Sequence, residues 1–78
     1  MPTWIYQNHR EVDREAGKVI FGVEYYVSQQ GDNYTLIMTG YEAGQASEET
    51  IKGTWASLNS GTKAVIEKTK QYGSKISN

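Results

Sequence analysis

The stretch KVIFGVEYYVSQQGDNYTLIMTGY, residues 18–41, constrains the fold more than any other part of the chain. Its odd positions read Val19, Phe21, Val23, Tyr25 and Val27, and its even positions read Ile20, Gly22, Glu24, Tyr26, Ser28 and Gln30. One apolar side at a period of two is the pattern of a half-buried strand. Past Gly31–Asp32, Tyr34, Leu36 and Met38 form the more apolar side, and Thr35, Ile37, Thr39 and Tyr41 form the other. A two-residue loop at Gly31–Asp32 pairs Gln30 with Asn33, Val27 with Leu36 and Tyr25 with Met38. Both apolar sides then share one face. Glycine in the first loop position suits a II′ turn, whose twist matches that of the flanking strands. A slip by one residue would turn one apolar side into water.

Residues 3–12, TWIYQNHREV, read as a first strand antiparallel to residues 18–30, joined through the polar loop DREAGK. Gly17 stands where a left-handed residue is useful. The inner side of this strand is open, because Trp4 and Tyr6 compete with Ile5. Further on the period changes. Ser47 precedes Glu48 and Glu49, a capping hydroxyl followed by carboxylates suited to a helix N-terminus. Ile51, Trp55, Leu58, Thr62, Val65, Thr69 and Tyr72 follow in steps of four and three, one stripe on a helix. Lys68 and Lys70 fall in its last turn, and Gly73 stands at C′.

The expected fold class is α+β: a three-stranded antiparallel meander followed by one C-terminal helix packed on one sheet face. The alternative is all-β with five strands. Gly53 and Gly61 would each cost a helix up to ~1 kcal/mol, and LNSG, residues 58–61, reads as a turn. IKGTWASL and TKAVIEKT would then be the fourth and fifth strands. A helix broken near Asn59–Gly61 lies between the two.

The chain of 78 residues is expected to form one domain, 1–78, with residues 74–78 as a frayed tail. A domain of this size buries roughly 60% of the surface its unfolded chain exposes. The sequence has no cysteine, so neither a disulfide nor a thiolate metal site supports it. Stability must come from the core, or from a core completed by a second copy or a partner. No basic segment followed by an apolar stretch marks a signal peptide, and no apolar run approaches the ~20 residues of a membrane helix. The expectation is a cytoplasmic protein with no membrane association.

Little in the sequence points to catalysis. His9 is the only histidine, and Glu11 and Asp13 share its side of a strand, but no further ligands accompany them. They read as a polar strand end. Neither a G-x-S-x-G turn nor a G-x-x-x-x-G-K-[ST] phosphate loop is present. The reading is non-enzymatic, with no cofactor and no metal.

What remains is surface. In the chosen register Tyr26 lies opposite Ile37 and Tyr41 opposite Gly22, all on the outer side, where Tyr6 is a candidate neighbour. Ordinary cross-strand packing, or an aromatic covering a bare glycine, accounts for either pair alone. A cluster of them suits an interface, since tyrosine offers large contact area with few torsions to freeze.

The charge is also divided. Residues 1–49 carry three basic and eight acidic side chains, net −5, and residues 50–78 carry five basic and one acidic, net +4. The expected function is therefore a small protein-interaction module of phage-type size: an inhibitor, adaptor or assembly factor that covers a partner's surface. Tyr26, Ile37 and Tyr41 are its central contacts, with Lys63, Lys68 and Lys70 a secondary charged patch. The alternative is a nucleic-acid-binding domain using the lysine-rich C-terminal helix. The outer sheet face, with Glu24, Thr35 and Thr39, does not suit a sheet that reads phosphates. A homodimer is a further candidate, through the opposite charges of the two halves or through an open sheet edge.

Overall fold

The computed structural model describes the backbone of residues 1–13, 18–42 and 44–78, and the side chains of residues 1–7, 22–42 and 44–78. Its strands are β1 (Thr3–Asp13), β2 (Lys18–Gln30), β3 (Asn33–Glu42), β4 (Gln45–Thr54) and β5 (Ser74–Ser77). A short 3-10 turn, Trp55–Ser57, precedes the helix α1 (Ser60–Tyr72). The strands form one antiparallel sheet in the order β4-β3-β2-β1-β5. The fold is α+β, with one helix on one face of a five-stranded sheet.

The central hairpin has the expected register. Gln30 pairs with Asn33, Val27 with Leu36, Tyr25 with Met38, Tyr26 with Ile37 and Gly22 with Tyr41. Gly31 takes φ +59°, the left-handed conformation that the first position of a primed turn demands. β1 continues the same rows: Trp4 faces Val27, Ile5 faces Tyr26 and Tyr6 faces Tyr25. Trp4 and Tyr6 thus take the inner side of β1, and Ile5 takes the outer. The inward placement of Val19 and Phe21, the loop with Gly17, and the side chains of His9, Glu11 and Asp13 lie outside the described residues.

The expected three-stranded meander is present as β1-β2-β3, but two more strands flank it, so the sheet has five strands. Residues 45–54 are not the start of a helix from Ser47; they pair with β3 along its whole length, from Glu42↔Gln45 to Asn33↔Thr54. The physical reason is that β4 is an edge strand. One of its sides faces water and the other is covered only near Ile51, so it needs little apolar alternation. Glu48, Glu49 and Lys52 are charges of the kind that keep an open edge from pairing further. The stripe of four-and-three steps from Ile51 to Tyr72 therefore merges a strand, a turn and a helix. Residues 74–78 are not a free tail, because Ser74 pairs with Ile5, Lys75 with Trp4 and Ser77 with Thr3. Of the five-stranded all-β alternative, the fourth strand IKGTWASL overlaps β4 only over residues 51–54 before the chain enters the 3-10 turn, and TKAVIEKT is helical.

The helix starts at Ser60 and not after Ser47, within the Asn59–Gly61 stretch where the intermediate alternative has its break. Asn59 is its N-cap, and its Oδ1 accepts from the Thr62 N–H at 2.8 Å. Asn59→Ala is expected to cost about 1 kcal/mol, read as a lower urea midpoint at unchanged slope. The helix buries Thr62, Ile66 and Thr69, and Tyr72 is exposed. Ile66, absent from the sequence stripe, is the helix's main anchor. It joins Val27, Leu36 and Leu58 in the buried core, around which Trp4, Tyr25, Tyr34, Met38, Ile51, Trp55 and Val65 pack. The buried Thr69 hydroxyl is satisfied by donating to the Val65 carbonyl at 2.8 Å.

Gly73 ends the helix for a different reason from the one expected. Its φ is −81°, so no left-handed residue is needed there. A Cβ at this position would collide with the carbonyl oxygens of Ile5 and Thr69. Only glycine lets the end of α1 touch the backbone of β1 and turn directly into β5.

Candidate functional site

The sheet has two faces with different fates. The rows Trp4–Val27–Leu36–Ile51 and Tyr6–Tyr25–Met38 face the helix. The outer face carries the row Ile5–Tyr26–Ile37–Thr50. It is flanked on one side by Thr3–Ser28–Thr35–Lys52 and on the other by Gln7–Glu24–Thr39–Glu48. Gly22–Tyr41–Ala46 lies beyond. Among the described residues no element crosses this face.

Tyr26, Ile37 and Tyr41 all lie on the outer face, as expected, and Ile5 joins the Tyr26–Ile37 pair; Tyr41 is set apart, four residues along β3 with the polar Glu24–Thr39 row between. Tyr6 does not; it stacks on Tyr25 on the inner side, with ring centroids 6.4 Å apart. Ile5 could not be assigned to this face from sequence because Trp4 and Tyr6 on one side of β1 and Ile5 on the other are both apolar, which left the strand's inner side open. The signal was there in its position opposite Tyr26 once Trp4 was aligned with Val27.

The centre of the outer face is braced. The Tyr26 hydroxyl donates to Glu24 Oε2 at 2.8 Å, and Gln7 Nε2 donates to Glu24 Oε1 at 3.2 Å. Accepting from the phenol, Glu24 raises the Tyr26 pKa above its ordinary value, so the ring presents a neutral hydroxyl across the physiological range. Tyr41, 38% exposed, lies opposite Gly22, and its hydroxyl reaches toward Gly44 at the β3–β4 turn, where φ is +86°. The row offers flat apolar area with polar tips and threonine hydroxyls around it, a composition suited to contact with another protein.

Lys63, Lys68 and Lys70 are not part of this patch. They project from α1 on the opposite side of the sheet, each over an aromatic ring. Lys63 Nζ lies 5.7 Å from the Trp55 ring centroid and Lys68 Nζ 5.6 Å from that of Tyr6. Lys70 Nζ lies 4.9 Å from Trp4 and 5.5 Å from Tyr34, and donates to Gln29 Oε1 at 2.7 Å. The six residues that the sequence grouped as one partner-binding set thus form two sites on opposite faces.

Among the described residues, no group of three His, Cys, Asp or Glu side chains is placed to hold a metal ion, and no helix is long and apolar enough to cross a membrane. Fold and surface together define a small α+β domain with one sheet face covered by a helix and the other not crossed by any described element. No protein-family model matches the chain, and no curated protein or solved structure matches it significantly.

Proposed function

We propose that this protein is a small non-enzymatic interaction module, an inhibitor, adaptor or assembly factor, that covers a protein partner with its outer sheet face. The observation that supports this most is the braced row Ile5–Tyr26–Ile37, which no described element covers. The molecule's two longer extents are 46 and 22 Å, the dimensions in which a sheet face can meet a partner. The Ile5–Tyr26–Ile37 row is aromatic and aliphatic, the neighbouring Glu24 accepts from Tyr26 and Gln7, and the charges of Glu48 and Lys52 stand at the β4 edge.

Tyr26→Ser with Ile37→Ser tests the reading. Both side chains point away from the helix, so the far-ultraviolet circular dichroism is expected to stay that of the parent. Partner affinity, or self-association where the partner is a second copy, is expected to fall at least a hundredfold, the scale of truncating two central interface anchors. A folded double variant that associates as tightly as the parent would sink the proposal.

A further inference from the structure

The helix side of the molecule carries a second arrangement, at the end of the sheet near the Gly31–Asp32 turn. Lys63 stands over Trp55 and Trp55 packs on Tyr34, with ring centroids 5.3 Å apart. Tyr34 neighbours Lys70, Lys70 stands over Trp4, and Lys75 stands over the same indole at 5.8 Å. Rings and ammonium groups thus interleave, each within 4.9–5.8 Å of the next.

The order is spatial as well as local. Trp55 directly follows β4, Tyr34 is on β3, Gln29 beneath Lys70 is on β2, Trp4 is on β1 and Lys75 is on β5. That is the order of the strands in the sheet. With strands ~4.8 Å apart, the ladder runs about 20 Å straight across the molecule. The rings are half-buried, with part of their surface open to solvent. A cleft of about 470 Å³ opens beside them, lined by Tyr34, Trp55, Ile66, Glu67, Lys70 and Gln71.

We infer that this ladder is a track for single-stranded nucleic acid, with bases stacking on Trp55, Tyr34 and Trp4 and backbone phosphates meeting Lys63, Lys70 and Lys75. The chemistry calls for a ligand that repeats flat rings and negative charges at short intervals, and a single strand is such a ligand. Lysine supplies point charges without a fixed fork, which suits sequence-tolerant phosphate contact. Lys70 has three N–H donors, and its bond to Gln29 fixes the ammonium between two rings. A duplex does not fit, because its bases are stacked on each other and cannot reach the rings. The ladder's lysines all come from the basic half of the chain, residues 50–78, while Trp4, Gln29 and Tyr34 come from the acidic half, and the cleft beside it holds one carboxylate, Glu67. The site stands on the face opposite Tyr26 and does not depend on the protein-interaction proposal.

The test is fluorescence anisotropy with a labelled oligothymidylate of about 15 nucleotides, at about 50 and 200 mM salt, with protein tryptophan emission followed in parallel. Trp4 and Trp55 are the only tryptophans, so both reporters lie in the ladder. Saturable binding with quenched emission is expected, weakening steeply with salt. In Lys63→Gln with Lys75→Gln, two surface changes that leave the core intact, affinity at the lower salt is expected to fall about tenfold. The log–log salt slope is expected to shrink by about 1.4, ~0.7 for each lost phosphate contact. Glu67→Gln is expected to bind more tightly than the parent, which a purely structural role for Glu67 would not produce. Failure to saturate, an unchanged slope in the lysine variant, equal affinity for a duplex of the same length, or equal affinity for thymidine monophosphate would each overturn the inference.

Discussion

Ile66→Ala is expected to remove about 3–4 kcal/mol of stability, the scale of a large-to-small change at a site that cannot collapse. Ile66 is 1% exposed and, among the described residues, joins three other buried hydrophobic side chains, Val27, Leu36 and Leu58. A domain of this length has a total stability on the order of 4–12 kcal/mol. One truncation therefore consumes a large share of it. The loss should appear in urea unfolding as a much lower midpoint at unchanged slope. Val65→Ala is the comparison: Val65 is only half-buried beside the core, so its loss should stay near 1 kcal/mol. Equal costs at the two positions would mean that the helix docks by a different face from the one described.

Gly73→Ala is expected to cost about 3 kcal/mol, at the upper end of what overpacking usually does. The added methyl meets two backbone oxygens, those of Ile5 and Thr69, and neither can rotate away as a side chain would. The least costly relief is to separate the end of α1 from β1, which pulls β5 off the sheet edge. Hydrogen exchange should then show early loss of protection at Ser74–Ser77 while the β2–β3 hairpin stays protected. Gly61→Ala is the opposite case. Its new Cβ meets nothing nearer than Asn59 Oδ1 at 3.4 Å, so the gain in helix propensity, up to ~1 kcal/mol, should appear as stabilisation.

Much of the sheet could be read before any coordinates. The register of β2 and β3 follows from requiring that Val27, Leu36, Tyr25 and Met38 share a face across a two-residue turn. That argument also places Tyr26 beside Ile37 and Tyr41 beside Gly22. It works because both strands are central and have one buried side. It fails for β4 and β5, whose residues Gln45–Thr54 and Ser74–Ser77 are mostly exposed, so that no alternation marks them. Glu48 and Glu49 suggested a helix N-terminus through their charge, and their actual role is on an open edge. The helix itself was legible from Asn59 onward in its lysines and its C-terminal glycine. Its buried stripe was misread because phase was carried over from Ile51 and Trp55, which are not helical.

The two candidate sites differed in the same way. The outer face depends on local register, which placed Tyr26, Ile37 and Tyr41 on it but not Ile5. The ladder depends on strand order. Nothing along the chain brings Trp4, Tyr34 and Trp55 beside Lys63, Lys70 and Lys75 until β4 and β5 flank the meander.

The central claim, that the outer face is a protein interface, is tested most directly by comparing the parent with Tyr26→Ser/Ile37→Ser in two linked readings. Solution mass is measured by light scattering, and retained proteins are compared on columns carrying each form, with the Lys63→Gln/Lys75→Gln variant as control. The account predicts that the parent and the lysine variant share a dimeric mass or a specifically retained protein, and that the tyrosine–isoleucine variant loses it while remaining folded. The same mass and the same retained proteins for all three would contradict it.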